Sequence, residues 1–364
     1  MKKSKKQEKR KKKLRTLVLL LFLTIIMFGT STYAWFTANK VVTIKSIDVQ
    51  VQAGGGIQIS TDAKNWKSVI TTTDIMNGYK YGTNDSVRAV NQLPTEVTAV
   101  STNAQGNGSG RLNMYSAIIE NEASSGDYSI RTQLETDTGD SENVGHAGTA
   151  GKYVVFDIFL RLDSQQTVYL TPDSNVVLTD PQEIDRGLKN AARVAFLNLG
   201  HASSSTSSED LAAMNTSSGT ILWEPNFDTH TATVVNSVAP DYSINLTSTG
   251  TDSVTSETLY AAVPYRGVNA AITTAQNLKR TVNGQTQTGT EAITGQIQTK
   301  ARNNEFKTFV SNMAEGVTKY RVYMWIEGQD IDCENNATGS AISFKVQLST
   351  TTSLASGESA ASGS

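Results

Sequence analysis

The sequence predicts a mainly β fold: a jelly-roll or Ig-like antiparallel β-sandwich with long polar loops and one or two short crossover helices. Three observations predict it. Apolar residues come in short runs that alternate with polar ones, which is the period of a strand with one buried face. Stretches of Ser, Thr, Asn and Gly separate these runs and turn the chain between them. Charged residues are only 18% of the 364, while Thr, Ser, Val, Asn and Gln are abundant, a composition that suits strands and turns.

The amino terminus has a different character. Residues 1 to 15 carry ten Lys or Arg against the single acid Glu8, and "LVLLLFLTIIMF" follows from Leu17 to Phe28. Twelve residues at about 1.5 Å each are short for a bilayer core of about 30 Å, so the run reads as the apolar region of a signal peptide, 1–34. Thr32 and Ala34 form a small-x-small pattern that places cleavage between Ala34 and Trp35. The alternative is an uncleaved signal anchor over residues 14–36. In either case the basic run is the cytoplasmic flank of an apolar segment rather than a nucleic-acid patch.

Removing residues 1–34 takes ten of the 32 basic and one of the 34 acidic residues, leaving 22 against 33 and a formal charge of −11. That balance disfavours nucleic acid, and contact with a membrane is expected only through the N-terminal segment. The single cysteine, Cys333, excludes an intramolecular disulfide. An exported chain of this size without disulfides fits the surface of a Gram-positive bacterium.

Residues 35–348 make up the predicted β-sandwich ectodomain. In "IKSIDVQVQ", Ile47, Val49 and Val51 alternate with Asp48, Gln50 and Gln52, and Val42 and Ile44 alternate upstream with Thr43 and Lys45. The step of three from Ile44 to Ile47 predicts a bulge or hinge near Ser46. Further strands are predicted at Ile57 to Ser60, Asn113 to Asn121, Lys152 to Leu162, Thr167 to Leu170, Arg193 to Leu199, Thr258 to Tyr265, Tyr320 to Gly328 and Ala341 to Leu348. Val154, Phe156, Ile158 and Leu160 should share a buried face, as should Ile342, Phe344, Val346 and Leu348. "DPQEIDRGLKNAAR" predicts a helix, with Asp180 as N-cap, Pro181 at the first position, Glu183 in the first turn and Ile184 four residues from Leu188. Val268 to Lys279 and Glu305 to Met313 are weaker helix candidates.

Polar loops are expected at Ser101 to Gly110, Asp137 to Gly151, Ser203 to Thr220, Thr247 to Ser256 and Thr281 to Gly289. If the ectodomain holds two sandwiches, the break falls near 200–220. Residues 349–364 read as a disordered Ser/Thr/Gly-rich tail without a sorting motif.

The catalytic motifs searched for are missing. His146, His201 and His230 fall in polar loops with no HExxH spacing; there is no GxSxG and no phosphate loop, and no His neighbours Cys333 in sequence. No enzyme and no confident metal or other cofactor is expected. Asp137, Asp140 and Glu142 could hold Ca²⁺ through carboxylate oxygens, although their spacing is not that of an EF-hand and a Ser/Gly/Asp loop is more often simply solvated. Glu327, Asp330, Asp332 and Glu334 read as a tight acidic turn between the last two strands. Lysines such as Lys307 and Lys319, and Glu315 among nearby acids, are of the type that forms isopeptide crosslinks.

The basic run, the short apolar run, "GTSTYA" and then Trp35-Phe36 opening into a polar strand resemble the amino terminus of the TasA/camelysin class of exported proteins. The resemblance covers residues 1 to 53, and it implies a SipW-type signal peptidase as processing partner, secretion, a jelly-roll-like sandwich and self-association into extracellular matrix fibres of a biofilm. The ending "YMWIEGQDIDCENNATGSAISFKVQLS" resembles C-terminal hairpins of uncharacterised Firmicutes surface proteins. The function expected is that of a secreted or cell-surface fibre subunit. Its donor strand, Trp35, Phe36, Val42 and Ile44 included, would be freed by cleavage and added to the next subunit. The alternative is a monomeric surface adhesin, anchored by an uncleaved N-terminal helix, that binds through its rim loops.

Overall fold

Strict alternation in "ISFKVQLS" buries Ile342, Phe344, Val346 and Leu348 and leaves Ser343, Lys345 and Gln347 half-buried, so this strand has one core face as predicted. In the computed structural model the described residues are 48–54, 56–77, 92–94, 97–122, 128–135, 151–241, 244–253, 256–264, 266–275, 289–299, 305–333 and 341–352. The signal segment, the cleavage site Ala34–Trp35, the donor residues Trp35, Phe36, Val42 and Ile44, the hinge at Ser46 and the calcium candidates Asp137, Asp140 and Glu142 lie outside them. Among the described residues no helix is long and apolar enough to cross a membrane.

The fold is mainly β, built on two six-stranded sheets and numbered in chain order. The first sheet holds β1 (Asp48–Gly54), β3 (Val69–Ile70), β7 (Gln166–Leu170), β8 (Asn175–Leu178), β16 (Lys307–Met313) and β18 (Ile342–Ser349), in the order β16-β7-β18-β1-β3 with β8 also on β18. The second holds β2 (Gln58–Ser60), β6 (Val154–Leu162), β9 (Ala192–Ala202), β10 (Gly219–Pro225), β15 (Ile297–Thr299) and β17 (Gly316–Ile326), in the order β15-β10-β9-β17-β6-β2. Three two-stranded sheets complete it: β4 (Met114–Glu122) with β5 (Tyr128–Glu135), β11 (Ser248–Thr251) with β12 (Thr258–Tyr260), and β13 (Arg266–Val268) with β14 (Thr290–Ala292). Most pairings are antiparallel. β1 is an exception and runs parallel to β18, with Asp48 opposite Ser343 through Gly54 opposite Ser349.

The two large sheets share one apolar core, as in a β-sandwich. Val51, Val168, Leu170, Phe344 and Val346 of the first meet Phe156, Ile158, Val194, Phe196 and Val322 of the second. Edge-to-face contacts from Phe309 to Phe196, 4.9 Å between ring centroids, and to Tyr320, 5.7 Å, tie β16 to that core.

The predicted face of β6 is buried, and so is its opposite face. Tyr153 and Val155 pack with Ala195, Leu197, Leu199, Tyr323 and Trp325 beneath a cover that includes Val100, Leu112 and Met114. The second sheet is therefore a middle layer, with the first sheet on one side and loops and the smaller sheets on the other. The polar stretch near 200–220 joins β9 to β10, which pair antiparallel from Gly219 opposite Asn198 to Trp223 opposite Val194. It connects neighbouring strands of one sheet.

Three helix predictions are corrected. After Asp180 the chain makes turns, because Asp180 Oδ1 accepts from Gln182 N at 2.9 Å and Asp185 Oδ1 accepts from Gly187 N at 2.9 Å, pulling the backbone into local loops. Ile184 is 73% exposed while Leu188 is buried, so their spacing of four marks no helical face. Over the described part of Val268 to Lys279 the chain ends β13 and continues without a helix. Glu305 to Met313 is mostly β16, where register irregularities against β7 between Thr308 and Val310 and between Val310 and Met313 put Phe309 and Met313 both in the core. Those irregularities imitate a helical spacing on an extended strand.

Two of the expected loops contain regular structure. Ser203 to Thr220 holds the helix Ser208–Ala213, capped by Ser207, whose Oγ accepts from Asp210 N at 3.1 Å. Thr247 to Ser256 contains β11.

Gly187 lies in the left-handed region at φ +97°, and a Cβ there would stand 2.6 Å from the carbonyl oxygen of Asp332. Gly187→Ala is expected to destabilise the protein by more than about 1 kcal/mol, read as a lowered urea midpoint. In a helix the same change would stabilise by about 1 kcal/mol, so the sign of the shift decides between the two backbones.

Candidate functional site

β17 is buried along its whole length, yet it carries Lys319 and Arg321 on its outer face. A buried charge survives only with partners. Asp157, on the same face of β6, supplies the counter-charge: Arg321 donates from Nε to Oδ1 at 2.7 Å and from Nη2 to Oδ2 at 3.0 Å, and Lys319 Nζ lies 3.1 Å from Oδ2. Burial alone would raise the Asp157 pKa, but the charges of Arg321 and Lys319 outweigh it and hold the carboxyl well below its ordinary range. The remaining donors fasten the covering layer. Lys319 Nζ donates to the carbonyls of Ala212 and Met214 at 2.7 and 2.9 Å, at the end of the helix Ser208–Ala213, and Arg321 Nη1 donates to that of Gly110 at 2.8 Å.

Lys319 is a lysine of the type that forms isopeptide crosslinks, with Asp157 as its carboxylate neighbour. Its carboxylate neighbour is fixed in the ionised form by a two-pronged guanidinium, whereas amide formation needs a neutral acid and a neutral amine. This triad has the chemistry of a salt bridge. Lys307 pairs with Glu305 at 2.6 Å on a far more exposed part of the chain.

A second polar cluster sits where β17 ends. The predicted acidic turn is present at residues 327–333, but it is buried, with Glu327, Asp330 and Asp332 all inside; Glu334 lies outside the described residues. Arg193 of β9 bridges Glu224 Oε1 at 2.5 Å and Asp330 Oδ2. Its Nη1 also donates to the carbonyls of Asn190 and Ala192 at 3.0 and 2.9 Å. Gln298 Nε2 donates to the second oxygen of Glu224 at 2.7 Å.

His230 Nδ1 is 2.6 Å from Asp332 Oδ2, with side-chain exposures of 4% and 1%. Asp332 Oδ1 accepts from Thr231 N at 3.2 Å. Burial works against a charged imidazole, but the hydrogen bond and charge of Asp332, with Asp330 and Asp228 behind it, raise the His230 pKa. Glu327 accepts from Trp325 Nε1 at 3.0 Å and from Gln329 N at 2.9 Å, and burial, only partly offset by these bonds and by Ser101 and Arg193, pushes it up to about 7.

This cluster contains a His–Asp pair. His230 Nε2 is buried and makes no hydrogen bond. Of the hydroxyls on its two sequence neighbours, that of Thr229 donates to Asn190 Oδ1 at 3.0 Å and that of Thr231 accepts from Val234 N at 3.3 Å. Among the described residues no hydroxyl or thiol is hydrogen-bonded to the Nε2 of this imidazole. His201 is elsewhere, with its Nδ1 3.0 Å from Thr318 Oγ1, and His146 lies outside the described residues. Cys333 is buried at the end of the turn. Among the described residues no group of three or more His, Cys, Asp or Glu is arranged to hold a metal ion.

From the sequence, His230 falls in a polar loop, Asp330 and Asp332 in an acidic turn and Arg193 at the start of a strand, with nothing to bring them together. The missed signal was the mixture of acidic and apolar residues in "WIEGQDIDC", whose Trp325, Ile326, Ile331 and Cys333 draw the acids inward with them.

No family model, no curated protein and no solved structure matches this chain.

Asp157→Asn leaves Lys319 and Arg321 buried without their counter-charge and is expected to cost about 3–5 kcal/mol in urea unfolding. Because the Asp157 pKa is depressed in the folded state, the contribution is present above the ordinary value of 3.8. It is lost as the pH falls through the lower, folded value, so the deficit of the variant relative to wild type should narrow only in strong acid.

Proposed function

We propose that the protein is a structural subunit, secreted to or held at the cell surface, that associates with itself through the segment preceding β1. The observation that carries this reading is the placement of β1. It pairs in parallel with β18, Asp48 opposite Ser343 through Gly54 opposite Ser349, and completes that sheet. In the sequence leading into β1, the alternation of Val42 and Ile44 with Thr43 and Lys45 is the pattern of a further strand. Strand backbone needs hydrogen-bond partners. A neighbouring subunit supplies them when its sheet has an open edge, with pockets for alternate side chains setting the register.

β16 is the longest edge strand of the two large sheets, at Lys307–Met313. The other edges among the described residues, β2, β3, β8 and β15, are four residues or fewer, the short form that resists augmentation. Addition of one subunit's leading segment to the next subunit's edge is a heterologous contact, and such a contact propagates into a filament unless it closes into a ring. The buried charges of β17 are committed to internal contacts, which also favours a structural role over catalysis.

The test compares purified chains starting at Trp35 and at Asp48. The longer chain is expected to form large, concentration-dependent sedimenting species, and the shorter one to stay monomeric with the same circular dichroism. Monomers from both would overturn the reading in favour of a surface-binding module, and assembly by both would move the interface away from the leading segment. N-terminal sequencing of the natural protein, with a start at Trp35, is the companion measurement.

A further inference from the structure

Residues 226–263 leave the second sheet at the end of β10 and form an excursion: a short π-helical turn at Val234–Val238, the helical residues Ala239–Asp241 and the hairpin β11–β12. Their own apolar cluster is small. Val234, Val238, Ala239 and Ile244 pack with Ile331, which belongs to the acidic turn of the main body. The excursion is thus seated on that turn, and its polar joint centres on Asp332. His230 binds one oxygen at 2.6 Å, and Thr231 N donates to the other at 3.2 Å. Beside this joint, Thr229 Oγ1 donates to Asn190 Oδ1 at 3.0 Å, and Asn226 Nδ2 donates to the carbonyl of Val176 at 2.7 Å.

The charge around the joint is lopsided. His230 faces Asp332 and Asp330 from the turn, Asp228 from its own segment, and the Tyr260 ring of β12 at 5.4 Å. Behind the turn lies Glu327, with Trp325, Gln329, Ser101 and Arg193 around it. Arg193 already binds Glu224 and Asp330. Burial, with the charge of Asp330, pushes the Asp332 carboxyl up against the hydrogen bond and charge of His230, so the pair is held by one proton, and losing it leaves acids facing one another in a medium that screens poorly.

We propose that the His230–Asp332 pair is a proton-dependent latch that holds residues 226–263 on the turn 327–333 and releases them when the imidazole loses its proton. The sign follows from the two states. His230 is raised in the closed state above its ordinary value of 6.5, so the latch is complete below that value and is lost as the pH rises through the higher, closed-state value. Glu327 acts in the same direction. It is raised from 4.5 to about 7, so the stability linked to its neutral form is complete below 4.5 and lost as the pH rises through about 7. This proposal is independent of self-association, since both partners belong to one subunit.

The test is amide hydrogen exchange on the full exported chain from about pH 5.5 to about pH 9, with rates corrected for their intrinsic pH dependence. The amides of residues 231–241 should lose protection by up to about tenfold per pH unit above the closed-state value while those of β17 keep theirs. His230→Gln, neutral throughout, should show low protection in 231–241 with the His230-linked dependence gone, and Glu327→Gln should retain that dependence. Flat protection in the wild type, or a fall that persists unchanged in His230→Gln, would overturn the latch. If His230→Gln does not fold, the imidazole can be titrated directly by NMR in the wild type. A midpoint above the ordinary histidine value that coincides with the loss of protection supports the latch, and titration at or below that value with 231–241 still protected refutes it.

Discussion

The structure depends on one constraint: β17 is buried on both faces and still carries two cations. A strand that faced water on its outer side could leave Lys319 and Arg321 solvated, with no need of particular partners. Once a third layer covers that face, each charge must be matched, because the desolvation penalty of an isolated buried ion is several kcal/mol. Asp157 matches both, from the adjacent strand β6, where Asp157 stands directly opposite Arg321. The donors left over then determine where the covering layer lies. Lys319 fixes the end of the helix Ser208–Ala213 and Arg321 fixes the turn at Gly110. Gly110 is itself required there, since a Cβ would come within 2.3 Å of Asn215 Oδ1. Charge pairing and close backbone approach thus select the same loop conformation.

The end of β17 applies the same rule with the opposite excess. Glu224, Glu327, Asp330 and Asp332 are all buried, and among the described residues Arg193 and His230 face them. Two physical responses make this tolerable. Glu327 retreats towards its neutral form, and His230 is drawn towards its charged one. The first triad is insensitive to pH across the neutral range because strong permanent charges hold it. The second cluster contains Glu327, pushed up to about 7, and a histidine raised above its ordinary value, so the same kind of buried network is held by fixed charges at one place and by protons at another.

The β architecture was legible in the sequence wherever alternation was strict. "ISFKVQL" and "VVFDIFL" gave their core faces residue by residue. What alternation could not reveal was the third layer, because Asp157 among Val154, Phe156, Ile158 and Leu160 looks like an ordinary solvent-facing acid until Lys319 and Arg321 are brought beside it from more than 160 positions away. Helical signals misled for two separable reasons. At Asp180 and Asp185 short carboxylates captured nearby backbone donors and folded the chain into turns. Across β16, irregular pairing with β7 gave an extended strand a spacing of four between its core residues. The buried site at residues 327–333 was visible only as an acidic turn, since burial there is decided by the apolar residues interleaved with the acids and by Arg193 and His230, both remote in sequence.

The parallel entry of β1 gives these local rules a consequence for the whole chain. Antiparallel neighbours can be joined by a tight turn, but a parallel pair must be joined by a long path. β1 and β18 satisfy this in the extreme, for they are the first and last strands of the described chain and almost all of the fold lies between them. Their pairing forms only when both ends are in place, and the entropy of closing so long a loop makes it a contact that the rest of the sandwich must organise first. Between β18 and β3, β1 contributes Val51 to the common core opposite Val346. The sheet is therefore completed by the strand next to the leading segment, so whatever holds or pulls on that segment acts at the seam where the two ends of the chain meet.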